Sequence, residues 1–146
     1  MTQTLKLKKI YTDVIEPKYA TAGSNCFDIH AYVKAPVIIQ PGQSVMIESG
    51  LAMGIPPNFV VLIFSRSGHG HKHRIRLSNT TGVIDSDYVN QVYIPVCNDS
   101  AVTAYTISPG DRIAQALLIY APQASFEWVE QLEVTTRAGG FGSTGK

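Results

Sequence analysis

The sequence predicts an all-β domain, a sandwich or a barrel with at most one short helix. Short apolar runs rich in Val, Ile, Tyr, Phe and Thr recur along the chain, and pleated sheets favour these residues. Turn signals built from Pro, Gly, Asn and Asp separate the runs at intervals of roughly 8–12 residues. The runs lack the apolar period, roughly 3.6 residues, of a long amphipathic helix. These three observations indicate many short strands joined by tight turns.

The candidate strands follow one another from the first residues to the last quarter of the chain. In the first, Leu5, Leu7 and Ile10 alternate imperfectly with lysines, as in a half-buried strand. The others are Phe27–Val33, Val37–Gln40, Ser44–Ile47, Phe59–Phe64, Gln91–Cys97, Val102–Ile107, Ile113–Tyr120 and Ser125–Val129. Turns are expected at Pro41-Gly42, Pro56-Pro57-Asn58, Asn98-Asp99-Ser100 and Ser108-Pro109-Gly110-Asp111. A short helix is predicted around Gly70–Arg74.

Composition limits the class of protein. A chain of 146 residues, 45% of them apolar, fits one domain with a packed core. The net charge of +1 argues against nucleic acid or an anionic membrane as a partner. There is no apolar run of membrane-span length and no secretory signal pattern at the N-terminus. Because Cys26 and Cys97 cannot make a disulfide framework, we expect buried, reduced thiols and a cytoplasmic location, in a host cell if a virus encodes the protein.

The last eleven residues, 136–146, are rich in glycine and hydroxyl side chains. Ordering glycine costs backbone entropy, so a mobile arm is expected. Its backbone amides, with Arg137, Ser143 and Thr144, could bind phosphates, and the ring of Phe141 could stack on a base. Composition leaves two interpretations open: the arm is a lid over a nucleotide site, or it is a disordered terminus.

Two internal segments carry residues suited to phosphate chemistry. Arg66, Ser67 and Gly68 follow an apolar strand and offer a guanidinium, a hydroxyl and exposed amides. Asp85 follows an apolar pair, where a partly desolvated carboxylate could take a proton from water. Alternatively, Asp85 starts a turn and binds its own backbone, and the residues alone favour that alternative.

Three histidines, His69, His71 and His73, lie close together in the sequence. On a strand they would share one face, but Gly70 and Lys72 break the strand pattern. Cysteine and carboxylate residues are missing at ligand spacing, and structural zinc sites close with four ligands. We therefore do not expect a structural zinc site here.

Five segments, in order, resemble the motifs of the homotrimeric dUTP pyrophosphatases (dUTPases). The segments are Gly23–Ala31, Ser65–Gly68, Gly82–Tyr88, Pro109–Gln115 and Arg137–Gly145. Gly-Val-Ile-Asp-Ser-Asp-Tyr, Gly-Asp-Arg-Ile-Ala-Gln and Gly-Gly-Phe-Gly-Ser-Thr-Gly are the most specific strings. The resemblance implies a distorted jelly-roll-like subunit in a homotrimer that shares its active sites. It also implies Mg²⁺-assisted hydrolysis of dUTP to dUMP and pyrophosphate, which limits uracil incorporation into DNA and supplies dUMP for dTMP synthesis.

The resemblance assigns the reacting end of the site. Asp85 is expected to be the general base that activates water for in-line attack on the α-phosphorus. Asp28 is expected to steer the hydration shell of Mg²⁺ through water. The phosphate ligands implied inside the domain, partly from a neighbouring subunit, are Arg66, Ser67, Gly68 and Gln115.

The resemblance also assigns recognition of the nucleoside. Asn79 and the backbone of a hairpin from Gly82 to about Tyr93 are expected to read uracil. Tyr88 is expected to lie against the deoxyribose and leave no room for a 2′-hydroxyl. The ligands implied in the arm, with Phe141 stacking on uracil, are Arg137, Phe141, Gly142, Ser143 and Thr144.

Three positions depart from the usual family pattern. Cys26, with Asn25 before it, stands where the first motif usually has glycine, and Asn90 replaces the glycine of the turn after Tyr88. Asparagine tolerates left-handed backbone, so we expect that turn to form. The arm is one residue shorter than usual after Arg137, which affects the reach of that guanidinium.

Two other functions compete with hydrolysis of dUTP. A dCTP deaminase shares the fold but needs a catalytic glutamate where this chain has Pro95, so deamination is disfavoured. The second is a catalytically idle regulator that binds dUTP or a protein. Asp85, Tyr88 and the arm argue against lost catalysis, and they leave an additional binding role open.

Overall fold

The computed structural model describes residues 3–136 and Gly139, which form ten strands and one helix. The strands are β1 (Lys6–Lys9), β2 (Phe27–His30), β3 (Val37–Ile39), β4 (Ser44–Gly54), β5 (Phe59–Phe64), β6 (Ile75–Leu77), β7 (Thr81–Ile84), β8 (Gln91–Asn98), β9 (Tyr105–Ile107) and β10 (Arg112–Tyr120). The helix is α1 (Ser67–His73). Within these described residues there is no helix long and apolar enough to cross a membrane. The predicted all-β class with one short helix is confirmed.

The strands form two larger antiparallel sheets and a two-stranded one. The strand order is β1-β4-β8-β6 in the first sheet and β2-β10-β5-β7 in the second, and β3 pairs with β9. In the second sheet β10 lies between β2 and β5. Segments that are far apart in the sequence therefore meet on neighbouring strands, which is what positions the site described below.

The two larger sheets share one apolar core. Strand β2 shows how the alternation works, because Phe27 and Ile29 are buried while Asp28 and His30 face the other side. The fully buried side chains include Ile29, Ile39, Ile47, Leu51, Met53, Val61 and Ile94. Burying each such side chain contributes about 1.5–3 kcal/mol. This core holds the strand ends, where the polar residues lie, in fixed positions.

Strand β4 contains a bulge at Gly50 that requires glycine. Its φ is 68°, and a Cβ there would lie 2.5 Å from Cγ2 of Val14. The hydroxyl of the buried Ser49 donates to the Val92 carbonyl at 2.6 Å and accepts from the Leu51 amide at 3.1 Å. The serine therefore replaces ladder hydrogen bonds that the bulge interrupts.

Most predicted strands are confirmed, although their bounds differ. Strand β4 extends to Gly54, seven residues beyond the predicted end at Ile47, and the helix begins at Ser67 rather than near Gly70. The sequence pattern does not predict β6 or β7, because three or four residues are too few to show an alternation. The predicted strand Ser125–Val129 is wrong, since that segment is irregular and exposed in the described chain. A strand needs a neighbour to pair with, and apolar alternation alone does not supply one.

Asn98 is a fully buried polar residue at the end of β8. Its side-chain amide donates to the carbonyls of Ile39 at 3.0 Å and Thr103 at 2.8 Å. Its side-chain oxygen accepts from the Ser100 amide at 3.0 Å. One side chain therefore connects β3, β8 and the loop that leads to β9.

Replacing Asn98 with alanine should destabilise the fold by about 2–4 kcal/mol, because buried carbonyls would lose their donors. Chemical denaturation at fixed protein concentration would measure the free energy of unfolding. Asn90→Ala is a matched control at an exposed asparagine and should change stability by less than about 0.5 kcal/mol. Equal stability of the two variants would contradict the assigned role of Asn98.

Candidate active site

A polar cleft of about 380 Å³ opens beside β2, β10 and the start of α1. It is lined by Ala20, Ser24, Asn25, Cys26, Asp28, Arg66, Ser67, Gly68, Arg112 and Gln115. The structure thus brings together five residues that the sequence analysis assigns to phosphate or metal binding. Those five are Asp28, Arg66, Ser67, Gly68 and Gln115.

Sheet register explains why these residues meet. On β10, Gln115 pairs with Asp28 of β2 on one side and with Phe64 of β5 on the other. Strand β5 ends at Phe64, so Arg66 emerges at the same end of the sheet. The Gln115 side chain donates to the Ser65 carbonyl at 3.1 Å and holds this exit in place.

The centre of the cleft is a carboxylate bound by two guanidinium groups. Nε of Arg66 donates to Oδ1 of Asp28 at 3.1 Å, and Nη1 of Arg112 donates to Oδ2 at 3.3 Å. Arg66 also donates to the Arg112 carbonyl at 3.3 Å. The side chains of Asp28 and Arg66 are 17% and 24% exposed, whereas Arg112 is 52% exposed. Two cations and one anion leave a net positive charge, which favours binding of phosphate.

His30 flanks this cluster on the same face of β2 as Asp28. Burial lowers the pKa of His30; the Asp28 carboxylate opposes this shift, and Arg112 and Arg66 reinforce it. The imidazole is therefore neutral at pH 7, and the arginines supply the positive charge of the cleft.

The start of α1 adds backbone donors to the cleft. Arg66 has extended backbone (φ −84°, ψ 134°) and precedes the helix without a side-chain cap. Its carbonyl accepts the Gly70 amide at 3.1 Å, which closes the first helical turn. The amides of Ser67 and Gly68, at the first two helical positions, have no carbonyl partner within the helix. They line the cleft and are available to an anionic ligand.

Asp85 lies in a different place, directly after β7. Its carbonyl accepts the Tyr88 amide at 3.1 Å, so the residues from Asp85 to Tyr88 form a tight turn. Asp85 therefore does start a turn, as the alternative interpretation of this residue expects. The residue is exposed and lines a second cleft of about 710 Å³ together with Phe59 and Asp87.

The register separates Asp85 from the phosphate cleft within one chain. On β5, Val61 pairs with Ile84 and Phe64 pairs with Thr81. Asp85 follows Ile84 at one end of this ladder, and Arg66 lies beyond the other end. At about 3.3 Å per residue, the two side chains are about 15–20 Å apart along the strand. A single chain therefore does not bring the candidate base to the candidate phosphate ligands.

The segment from Gly82 to Tyr93 is not the paired hairpin that the sequence analysis expects. Gly82 pairs with Ile63 of β5, whereas Tyr93 pairs with Glu48 of β4. The segment is a strand, a turn and a strand that connect the two larger sheets. A Cβ at Gly82 would lie 3.2 Å from the Ile63 side chain, so this strand packs closely on β5.

Asn79 and Tyr88 flank that connection. Asn79 is exposed in the turn before β7, and its carbonyl accepts the Thr81 amide at 2.7 Å. The Tyr88 hydroxyl donates to the Gln91 carbonyl at 2.9 Å, which fixes the orientation of the ring. Among the described non-glycine residues, positive φ occurs at Asn58, Arg74 and Thr80. Asn90 therefore forms its part of the turn without the left-handed backbone for which glycine would be needed.

Arg112 and Cys26 are site residues that the sequence analysis did not assign. Arg112 belongs to the motif Gly-Asp-Arg-Ile-Ala-Gln, and this position indicates a role in the site. Its contact with Asp28 depends on pairing of β2 with β10, which residue order does not show. Cys26 is half-buried and lines the cleft, rather than being a core residue like Cys97.

The predicted ligands of the arm, Arg137, Phe141, Gly142, Ser143 and Thr144, lie outside the described residues. Their contacts with substrate stay predictions.

Known proteins resemble this chain in sequence and in fold. The sequence profile of the dUTPase family matches residues 12–145. A deoxyuridine 5′-triphosphate nucleotidohydrolase of Acinetobacter baumannii is 48% identical over 132 residues, covering 89% of this chain and 87% of that protein. One of Paraburkholderia phymatum is 44% identical over 132 residues, covering 89% and 88%. The dUTPase of Staphylococcus bacteriophage 80alpha, solved with dUpNHpp, has a TM-score of 0.86 at 25% identity, with 99% of each chain covered.

The jelly-roll-like β-sheet fold places the chain in the structural class of the solved dUTPases. Within that class, the chain belongs to the dUTPase family. The predictions of family, fold class and enzyme class, a dUTP diphosphatase, are confirmed.

Removing Arg66 should cost more stability than removing Arg112. Arg66→Gln loses a largely buried charged hydrogen bond to Asp28 and a bond to the Arg112 carbonyl, for about 1–3 kcal/mol. Arg112→Gln loses a half-exposed ion pair, for about 0–1 kcal/mol. Denaturant unfolding of both variants at equal concentration checks this order. A larger cost for Arg112→Gln would show that the exposed pair holds the cleft together.

Proposed function

We propose that this protein hydrolyses dUTP to dUMP and pyrophosphate, at active sites shared between the subunits of a homotrimer. Family membership and the dUpNHpp complex of the phage relative support the substrate. The observation that carries the proposal is the separation of Asp85 from the cleft of Arg66 along β5. The candidate base and the candidate phosphate ligands lie at opposite ends of β5. Contact between copies of the chain would bring the base of one copy to the phosphate ligands of another and so complete the active site.

The cleft is suited to the triphosphate. Arg66 is oriented by Asp28, and Arg112 presents its guanidinium half-exposed at the same carboxylate. The amides of Ser67 and Gly68 supply neutral donors that add no repulsion between cations. Gln115 is tied to the Ser65 carbonyl, and its amide lies at the cleft wall. These groups offset the negative charge that would otherwise repel a nucleophile, and they orient the α-phosphorus.

The cleft also fits Mg²⁺ that arrives with the substrate. Mg²⁺ prefers oxygen ligands, keeps several waters, and binds through one or two carboxylates together with substrate phosphates. Asp28 offers one carboxylate, and each of its oxygens retains acceptor capacity beyond the bond to its arginine. Residues 3–136 contain no cluster of three His, Cys, Asp or Glu residues that would form a complete cage. Held through water by Asp28, the ion would neutralise charge on the phosphates.

Asp85 is the proposed general base. Its carbonyl is used in the turn to Tyr88, which fixes the backbone and leaves the residue exposed next to the strand end. A carboxylate in that position can take the proton of a water that attacks the α-phosphorus in line with the pyrophosphate leaving group. The α-phosphorus–oxygen bond to pyrophosphate breaks as the new bond to the water oxygen forms. Asp85 then returns the proton to solvent.

Nucleoside selection follows from the strands around Gly82. Backbone groups there, with Asn79, can tell uracil from cytosine because the two bases present opposite hydrogen-bond patterns. Gly82 packs tightly on Ile63, so the backbone there forms a closely packed wall. We propose that this wall excludes thymine by steric contact with its methyl group. The ring of Tyr88 is held by Gln91 and can block a 2′-hydroxyl.

The segment after β10 supports assembly. Residues 121–136 are exposed throughout, and Trp128 and Val134 are 97% and 99% exposed. Phe126 and Leu132 are also largely exposed. A contiguous set of such apolar side chains marks an interaction surface. We assign it to contact with another copy of the chain.

This activity would limit uracil incorporation into DNA and supply dUMP for dTMP synthesis. We place the protein in the cytoplasm, where thiols stay reduced, and both Cys26 and Cys97 are free.

Asp85→Asn should keep affinity for dUTP and lower kcat by about 10²- to 10⁴-fold, because the amide cannot accept the proton. Pyrophosphate release, measured with dUTP, dCTP, dTTP and UTP with and without Mg²⁺, gives the rates and the selectivity. Asp87→Asn is the matched control, since Asp87 is an exposed carboxylate in the same cleft. Retained turnover in Asp85→Asn would remove the assignment of the base, and an inactive wild-type protein would remove the proposed reaction.

Mixed trimers should reveal the shared site. Chains carrying Asp85→Asn and chains carrying Arg66→Gln should each be nearly inactive alone. Random trimers from equal amounts of the two should recover about a quarter of wild-type activity, because some sites combine Asp85 from one chain with Arg66 from another. Pyrophosphate release after co-refolding measures the recovery.

Each variant refolded alone, and the double variant mixed with itself, control for refolding. A mixture as inactive as its parents would show that one chain supplies both residues. That outcome would reject the shared site while leaving the reaction itself in place.

A further inference from the structure

Helix formation changes which histidines of the sequence His69, His71 and His73 lie together. Successive residues of an α-helix are about 100° apart, so residues four apart share a face and residues two apart do not. His69 and His73 are therefore neighbours on α1, and His71 points elsewhere. A strand would instead place all three histidines on one face.

The two imidazoles are close enough to bind one ion. Their ring centroids are 6.5 Å apart, and both rings contact Tyr105, at 5.8 Å for His69 and 5.2 Å for His73. Metal–nitrogen bonds of about 2.0–2.1 Å, at the angles of tetrahedral or octahedral sites, would place two coordinating rings with centroids about 4.5–5.5 Å apart. The two rings must therefore approach each other by about 1–2 Å through side-chain rotation to bind a common ion.

His69 also has unused bonding capacity. Its Nδ1 is buried and finds no hydrogen-bond partner among the residues that the structure describes. Burial lowers the pKa of His69, and the Arg66 guanidinium and His73 lower it further. The ring is therefore neutral at pH 7, which is the form of histidine that binds metals.

The ligand type selects the kind of ion, and the surrounding charges set how strongly it binds. Lys72 and Arg74 flank His73 in the sequence, and Arg66 and Arg112 act on His69 from the cleft. The Asp111 carboxylate is the group whose charge acts on His69 in the opposite direction. The surrounding cations weaken binding of every divalent ion, so the pair suits ions that bind imidazole strongly rather than Mg²⁺ and Ca²⁺, which depend on carboxylates.

The geometry points to a two-histidine site, formed by His69 and His73 one turn apart on α1, for a first-row divalent ion such as Zn²⁺, Ni²⁺ or Cu²⁺. Solvent completes the coordination. This site is separate from the Mg²⁺ proposed at Asp28, and it uses residues without a role in the proposed hydrolysis.

Binding there would stabilise a weak element. Helix α1 has seven residues, no side-chain cap and no acidic residue in its first turn. Such a short helix is marginal by itself. A metal bridge across one turn holds its backbone, and with it the Ser67 and Gly68 amides that line the phosphate cleft.

Titration of the full chain with Ni²⁺, and separately with Zn²⁺, tests the site by calorimetry without nucleotide or Mg²⁺. One ion should bind per chain, and His69→Gln and His73→Gln should each weaken binding roughly tenfold or more. His71→Gln is the matched control on the same helix and should bind like the wild type. The midpoint of thermal unfolding should rise with Ni²⁺ for the wild type and His71→Gln, and not for the other two.

Loss of affinity in His71→Gln equal to that in His69→Gln would overturn the pairing, and so would full affinity in either variant of the pair. Absence of saturable binding to the wild type would reject the site altogether. Thermal unfolding without metal shows whether each variant is folded. If His69→Gln fails to fold, His73→Gln decides alone, because His73 is exposed and its replacement leaves the core unchanged.

Discussion

Two guanidinium groups converge on the carboxylate of Asp28, and the organisation of the phosphate cleft depends on that contact. Asp28 belongs to β2, Arg112 to β10, and Arg66 to the connection between β5 and α1. Without the carboxylate, two neighbouring cations would repel each other, and the start of the helix would be held to the sheet by the bonds of Ser65 to Gln115 and Leu77 and by the bond from Arg66 to the Arg112 carbonyl. The same contact leaves a net positive charge at the surface, so one interaction both closes the fold and prepares it for an anion.

Strand β5 separates the two groups of candidate site residues within one chain. One of its ends leads to Arg66, and its other end lies beside the turn at Asp85. Its middle residues, Val61 and Ile63, are buried in the core, so polar chemistry is confined to the two ends. A rigid strand of six residues keeps those ends apart, and no loop movement within the described sheet would bring them together. The proposed sharing of sites between subunits would remove the conflict between a continuous apolar core and a compact polar site.

Much of the fold could be predicted, because long strands such as β8 and β10 show apolar runs bounded by turn residues. The strand predictions that failed depended on neighbouring strands, which the local sequence does not reveal. Ser125–Val129 has the residues of a strand but no neighbour here, and β7 has a neighbour but too few residues to be recognised. The motifs assign Asp85 and Arg66 to the candidate site, and their roles stay predictions, whereas the motifs could not predict the bond from Arg112 to Asp28. It depends on the register of two strands that lie 84 positions apart in the sequence.

The residues that depart from the family pattern lie outside the core, where packing does not restrict the type of side chain. Asn90 lies in an exposed bend with negative φ, and Cys26 lines an open cleft rather than the core. Gly50 and Gly82, by contrast, have side-chain atoms within 2.5 Å and 3.2 Å of where a Cβ would be, so larger residues there would disturb the sheets. Helix α1 buries none of its residues, so core packing does not fix His69 and His73 either. The metal site proposed for them would therefore leave the strands that hold the phosphate cleft unchanged.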